Sequence, residues 1–196
     1  MGWGERKRAA LERLKLHIAQ GRVDPDILSL LDVINSLPFA YTTSSCSGRI
    51  QLYEARVPGE KFDMINLGKW HSPVEPDEIL SKIRGYNVWL ALLPPIIHAF
   101  TCSLEASIFL LKIMRRAGFK RACIMNLSKP FIEARGTERL EIPLKLEDRD
   151  IVDEEGIRLI VRTANEMLRR AKVRISKLEV MLRDEASRGL DNLCRE

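Results

Sequence analysis

Residues 121–144 read RACIMNLSKPFIEARGTERLEIPL, and how the strands of this stretch pair decides the fold class. Three runs, at 121–127, 131–135 and 139–144, are rich in Ile, Phe and Leu and are separated by residues that interrupt regular structure. A turn at Gly136-Thr137 joins the last two. Strands this close in sequence pair as antiparallel hairpins, because a parallel pair needs a crossover of about a dozen residues or more. The spacing therefore predicts an α+β fold with a mixed, largely antiparallel sheet packed with helices, not a doubly wound parallel sheet.

Working outward, Ser103 to Ala117 has helical spacing, with Ala106, Phe109, Leu110, Ile113 and Met114 inward and Gly118 as the stop. The apolar run 88–93 suits a central strand. Leu11, Leu14 and Ile18 mark a first helix ending near Gly21. Asp24-Pro25 opens a second that carries Ile27 to Ile34 and closes at Leu37-Pro38. Ile50 and Leu52 alternate like a half-buried strand, Arg56 to Lys61 make a Pro-Gly turn, a short strand is expected around Met64 to Leu67, and Pro76-Asp77-Glu78 opens a helix. From Asp153 an apolar stripe runs at helical spacing to about Ala186, as one long helix or two broken near Ala171.

A chain of 196 residues, 45% hydrophobic and 30% charged, is the right size for one domain, expected to span 1–196. Its longest nearly apolar run, 88–100, is too short to cross a bilayer and contains Pro94 and Pro95, and the charged N-terminus lacks a signal peptide's apolar core. A cytoplasmic protein without membrane contact is expected. Cys46, Cys102, Cys123 and Cys194 stand far apart and form no CxxC pair, so reduced thiols are expected and no metal. Residues 105–136 hold seven Lys or Arg against two acids, an excess equal to the whole chain's net charge of +5. Such a face suits a polyanion such as RNA, although no aromatic cluster in the sequence accompanies it.

The stretch AYTTSSCSGRIQLY at 40–53 carries hydrogen-bonding groups at nearly every loop position. A tight turn needs far less, so it reads as a polar surface loop or as one built to grip a ligand. Of the three histidines, His17 lies on the first helix and His71 follows Trp70 in a loop. His98, just beyond Pro94-Pro95, is the better candidate for proton transfer, with a hydrogen-bonded structural histidine as the alternative. Cys46 beside a histidine admits a thiol nucleophile, and Cys46, His71, His98 and Cys102 admit a zinc site, but neither shows a standard spacing. Neither GxGxxG nor GxxxxGK[ST] is present.

The segment TTSSCSGRI resembles the signature of the tRNA wybutosine-synthesising protein 3 family. His71, Pro94 to His98, Ala117 to Lys120, Arg135 with LEIPL at 140–144, Val161 to Asn165 and Arg174-Ile175 follow that family's order along nearly the whole chain. The chain departs from the family at Leu93, where a glutamate is usual, at Asn66, where a tryptophan is usual, and at Ala122-Cys123-Ile124 in place of S-G-I. The resemblance implies S-adenosylmethionine-dependent methylation of N4 in a demethylwyosine-type base beside the anticodon of phenylalanine tRNA. It implies cofactor contacts from Ser44, Ser45, Cys46, Ser47, Gly48, Arg49 and Arg135, and proton transfer or alignment by His98, His71 and Ser45. For the tRNA it implies contacts from Lys112, Arg115, Arg116, Lys120, Arg121, Asn165 and Arg174. A non-catalytic RNA-binding protein and a cysteine-dependent hydrolase are the alternatives.

Overall fold

The computed structural model describes residues 2–59, 63–186 and 193–194. In chain order its elements are α1 (Trp3–Ala19), a 3-10 turn (Pro25–Ile27), α2 (Leu28–Ser36), β1 (Ala40–Thr42), β2 (Arg49–Glu54), β3 (Ile65–Trp70) and α3 (Pro76–Leu80). There follow β4 (Val88–Leu93), β5 (Ile96–Thr101), α4 (Leu104–Ala117), β6 (Arg121–Asn126), β7 (Phe131–Arg135), β8 (Leu140–Leu146), β9 (Arg149–Asp150) and α5 (Glu154–Ala186). Part of the expected turn at Arg56 to Lys61 lies outside the described residues. The fold is α+β, as the sequence indicates, and the C-terminal stripe forms one unbroken helix of 33 residues.

The strands form two sheets in place of one, and every pair is antiparallel. Their orders are β1-β5-β7-β6 and β3-β2-β4-β8-β9. The expected hairpin across Gly136-Thr137 is absent, because β5 and β6 already occupy both edges of β7 and β8 pairs with β4 and β9. Pro94-Pro95 likewise marks a change of sheet: neither proline has an N–H to extend a ladder, and β4 ends where β5 begins in the other sheet. His98 therefore lies inside a strand, not at the end of the apolar run, and Trp70 is the last residue of β3, not part of a loop.

The chain divides into two compact units and crosses between them four times. The first comprises 1–47, 95–137 and 172–196, and the second 48–94 and 138–171. In the first, α2, α4 and the last turns of α5 bury Leu30, Ile34, Leu110, Met114 and Leu178 against Ile97, Ala99, Ile132 and Ala134, all from one face of the four-stranded sheet. α4 is bounded as its sequence dictates: the Ser103 side chain accepts the Ala106 N–H at 3.0 Å, and Gly118 leaves the helix at φ +111°. The positive φ there favours glycine, and the Arg174 stem, 3.1 Å from where a Cβ would stand, would have to shift by a few tenths of an ångström to admit a side chain. In the second unit, Ile50, Leu52, Leu90 and Leu92 pack with Ile79, Val161, Ala164 and Leu168, and β4 is central, as its apolar run predicts.

Cys102 and Cys194 form a disulfide with a Cα–Cα distance of 5.6 Å, which corrects the expectation of four reduced thiols and removes Cys102 from the zinc alternative. Their separation of 92 residues gives no local signal of pairing. Cys46 and Cys123 take part in no disulfide among the described residues. Among the described residues no helix is long and apolar enough to cross a membrane.

Candidate active site

Within the first unit the Thr42–Ser47 segment continues the pairing of β1 with β5. Thr43 N–H donates to the His98 carbonyl at 3.0 Å, and Cys46 and Ile96 exchange main-chain hydrogen bonds of 2.8 and 3.0 Å. The register of β1 on β5 would set residue 45 opposite Ile96, but residue 46 stands there, so the segment carries one extra residue as a bulge. The His98 N–H, displaced from a carbonyl partner, donates to Ser45 Oγ at 3.2 Å. Ser45 thus fixes the main chain of His98.

Ser47 is fully buried, and its groups are engaged within the unit. Its N–H donates to Asp24 Oδ2 at 2.8 Å, and its hydroxyl accepts from Lys172 Nζ at 2.7 Å, which also pairs with Asp26 at 2.6 Å. Asp24, expected to cap the second helix, makes no side-chain cap there.

A cavity of 520 Å³ lies beside this segment. One wall is Thr42, Thr43, Ser44 and Ser45; the others are Ala10, Arg13, Leu14 and His17 of α1, the Arg22-Val23 turn and Leu31 of α2. Arg13 and Arg22 are exposed and have no acidic partner among the described residues. The sequence reading missed both, because they belong to a helix face and a turn where charge is ordinary.

β5 turns Ile97 and Ala99 into the core and Ile96, His98 and Phe100 away from it. On the neighbouring strand Glu133 stands in register with His98. Its Oε2 lies 2.9 Å from His98 Nε2, and its Oε1 accepts from Arg135 Nε at 2.7 Å. The Arg135 hydrogen bond is the largest influence on Glu133; with a smaller contribution from His98 it outweighs desolvation and holds the carboxyl below its usual range. An ionised carboxylate only accepts, so Nε2 of His98 carries the proton and Nδ1 is left as the basic atom of the neutral ring. Glu133 was not singled out in the sequence; only the register reveals it.

The sign of the Glu133 shift gives a test. A carboxyl held low contributes stability above the ordinary carboxylate range and loses that contribution as pH falls through its lowered value. Wild type should therefore exceed Glu133→Gln in urea midpoint at pH 7, and the gap should narrow as pH falls below the ordinary carboxylate range. A gap that does not vary with pH would show that the pairing is not coupled to this proton.

The remaining expected residues are dispersed. Arg115 donates through Nε and Nη2 to the Ala122 carbonyl at 3.3 and 2.9 Å, and Arg116 lies 3.8 Å from Glu185. Lys112 and Arg116 are exposed positions on α4, behind the sheet, whereas Arg121 is an exposed position on the face that carries His98. Lys120 is exposed just before β6, and Arg174 donates to Thr137 Oγ1 at 3.0 Å. The single basic cluster expected from the sequence is thus split between two faces. In the second unit, Gly48 (φ +89°) has its carbonyl 3.1 Å from His71 Nδ1, and Arg49 Nε donates to Gln51 Oε1 at 3.1 Å. Asn165, expected among the substrate contacts, is buried with both ends of its amide on the main chain of Val74.

The chain is similar along most of its length to a family of methyltransferases. The solved structure of the PH1069 protein from Pyrococcus horikoshii superposes with a TM-score of 0.88 at 35% identity, covering 92% of this chain and 96% of that one. The tRNA(Phe) 7-((3-amino-3-carboxypropyl)-4-demethylwyosine(37)-N(4))-methyltransferase of Thermococcus sibiricus is 41% identical over 178 residues, 88% of this chain and 90% of its own length. The protein described as tRNA(Phe) 7-((3-amino-3-carboxypropyl)-4-demethylwyosine(37)-N(4))-methyltransferase 1 of Pyrococcus furiosus is 40% identical over 178 residues, 88% of this chain and 91% of its own length. The model of the family described as Methyltransferase TYW3 matches residues 5–184, and the chain belongs to that family.

Proposed function

We propose that the protein transfers a methyl group from S-adenosylmethionine to N4 of a 4-demethylwyosine-type base in the anticodon region of phenylalanine tRNA; its relatives' names support the N4-methylation of such a base in tRNA(Phe). The observation that carries the site assignment is that one segment, Thr42 to Ser45, walls the cavity and, through Ser45 Oγ, holds His98 in place. The cavity fits the donor in kind: hydroxyls on one side suit ribose, Leu14, Val23 and Leu31 suit an adenine ring, and Arg13 and Arg22 suit a carboxylate.

When bound, S-adenosylmethionine supplies an electrophilic methyl on a sulfonium. An in-line displacement of this kind asks the protein chiefly to align the partners and exclude water. Ser44 and Ser45 bind polar groups of the donor, and the bulge fixes their spacing. His98 accepts at Nδ1 the proton that N4 releases as its bond to carbon forms. Glu133, kept ionised by Arg135, stabilises the resulting imidazolium through Nε2. On this reading Arg135 acts through Glu133 instead of touching the donor.

Incubation with S-adenosylmethionine and phenylalanine tRNA bearing the unmethylated tricyclic base should add one methyl group to that base, as read by mass spectrometry of the digested nucleosides. No gain would overturn the function. Calorimetric titration tests the cavity: Arg13→Ala and Arg22→Ala should each weaken S-adenosylmethionine binding about tenfold, the value of one charge-assisted hydrogen bond. Unchanged affinity in both would place the donor elsewhere.

A further inference from the structure

The face of the four-stranded sheet turned away from the first unit's core is organised in rows by strand register. One row runs Tyr41, Phe100, Phe131 across β1, β5 and β7, the next is His98, Glu133, Cys123, and the third is Ile96, Arg135, Arg121. Aromatic rings dispersed through the sequence thereby form a ladder. Trp3 lies 5.1 Å from Tyr41, Tyr41 stacks on Phe100 at 5.4 Å with planes 17° apart, and Phe100 lies 4.8 Å from Phe131. The ladder stops at Phe131. The next position in its row, on β6, is Asn126, and the β6 bulge there leaves Met125 exposed. Phe131 remains partly exposed, with His98 edge-on at 5.2 Å as its other ring neighbour.

At the opposite end of the face Arg121 and Arg135 stand directly across from each other. Like charges so placed repel unless an anion lies between them. Arg135 is paired with Glu133, whereas Arg121 is exposed and has no acidic partner among the described residues. From Arg121 to Asn126 is about 17 Å along β6, at roughly 3.3 Å per residue, a span of two or three nucleotides of single strand. A flat π-system at one end and an unneutralised cation at the other complement an unpaired base and a phosphate of the same strand.

We infer that this face binds the single-stranded part of the RNA, with one unpaired base stacked on Phe131 as the next rung of the ladder and a phosphate held by Arg121. The inference rests on the function proposed above for the identity of the RNA, and it adds the surface and the manner of recognition. Bases in a duplex have no free face to offer, so the surface selects loop over stem.

The test uses the whole chain and two labelled synthetic RNAs without modified bases: the anticodon stem-loop of phenylalanine tRNA and a fully paired duplex of equal length. By fluorescence anisotropy the stem-loop should bind more tightly than the duplex. Phe131→Leu should weaken the stem-loop about tenfold and leave the duplex unchanged, while Phe131→Trp should retain or strengthen stem-loop binding. Arg121→Ala should reduce the salt slope by about one. Thermal melts and S-adenosylmethionine affinity matching wild type identify variants that fold. If stem-loop and duplex bind alike, or if folded Phe131→Leu and Phe131→Trp both bind the stem-loop as wild type does, the inference is wrong. Absence of methyl transfer with Phe131-dependent stem-loop binding would instead sink the proposed reaction and leave this surface standing.

Discussion

His98→Asn is expected to lower kcat for methyl transfer by about a hundredfold or more, with the KM for tRNA and the affinity for S-adenosylmethionine little changed. Asparagine has no basic nitrogen to take a proton, and a positioned general base contributes roughly 10² to 10⁴ in rate. The main-chain bonds that fix residue 98, Thr43 N–H to its carbonyl and its own N–H to Ser45 Oγ, do not depend on the side chain. Loss of rate therefore reports chemistry and not misfolding. Ser45→Ala offers the contrast: it removes the acceptor that positions His98, and its smaller loss should be shared between kcat and donor binding. Turnover of His98→Asn within threefold of wild type would show that N4 loses its proton to water or to another group.

Asn165→Ala has the largest expected effect on stability, about 2–6 kcal/mol. The Asn165 amide donates to the Val74 carbonyl at 2.8 Å and accepts the Val74 N–H at 2.9 Å, in a region where both residues are buried. Alanine leaves a donor and an acceptor without partners, each costing about 1–3 kcal/mol. Against a typical total of about 5–15 kcal/mol that is a large fraction. Urea unfolding measures it directly, and Asn165→Asp, which keeps the acceptor but sets a carboxylate against a carbonyl, should be no better. The alternative expected from the sequence, contact with tRNA, predicts an altered KM and little change in the urea midpoint. That result would overturn the structural account.

Much of the local structure was legible because its causes are local. Ser103 and Gly118 bound α4 through a cap and a positive φ, and the 88–93 run announces a central strand, buried on one face and half-buried on the other. Pairing across the chain was not. Gly136-Thr137 tells that the chain turns but not that both edges of β7 are taken, so an expected hairpin became a change of sheet. The site shows the same division. The polar segment and His98 stand out by composition, whereas Glu133, Arg13 and Arg22 acquire meaning only through register and a shared cavity. The aromatic ladder is a plain case: Tyr41, Phe100 and Phe131 are unremarkable as isolated residues and become a surface only once β1, β5 and β7 lie side by side.

The interleaving of the two units sets a timetable for synthesis. The second unit has its last residue at Ala171, whereas the first, though it contains the N-terminus, waits for Lys172 onward to supply Ile175, Leu178 and Leu182 to its core. In order of synthesis, then, the unit that starts later has its last residue made earlier. Until the end of α5 emerges, α2 and α4 hold Leu30, Ile34, Leu110 and Met114 in a core that lacks one of its helices. That interval exposes apolar surface in a nascent chain.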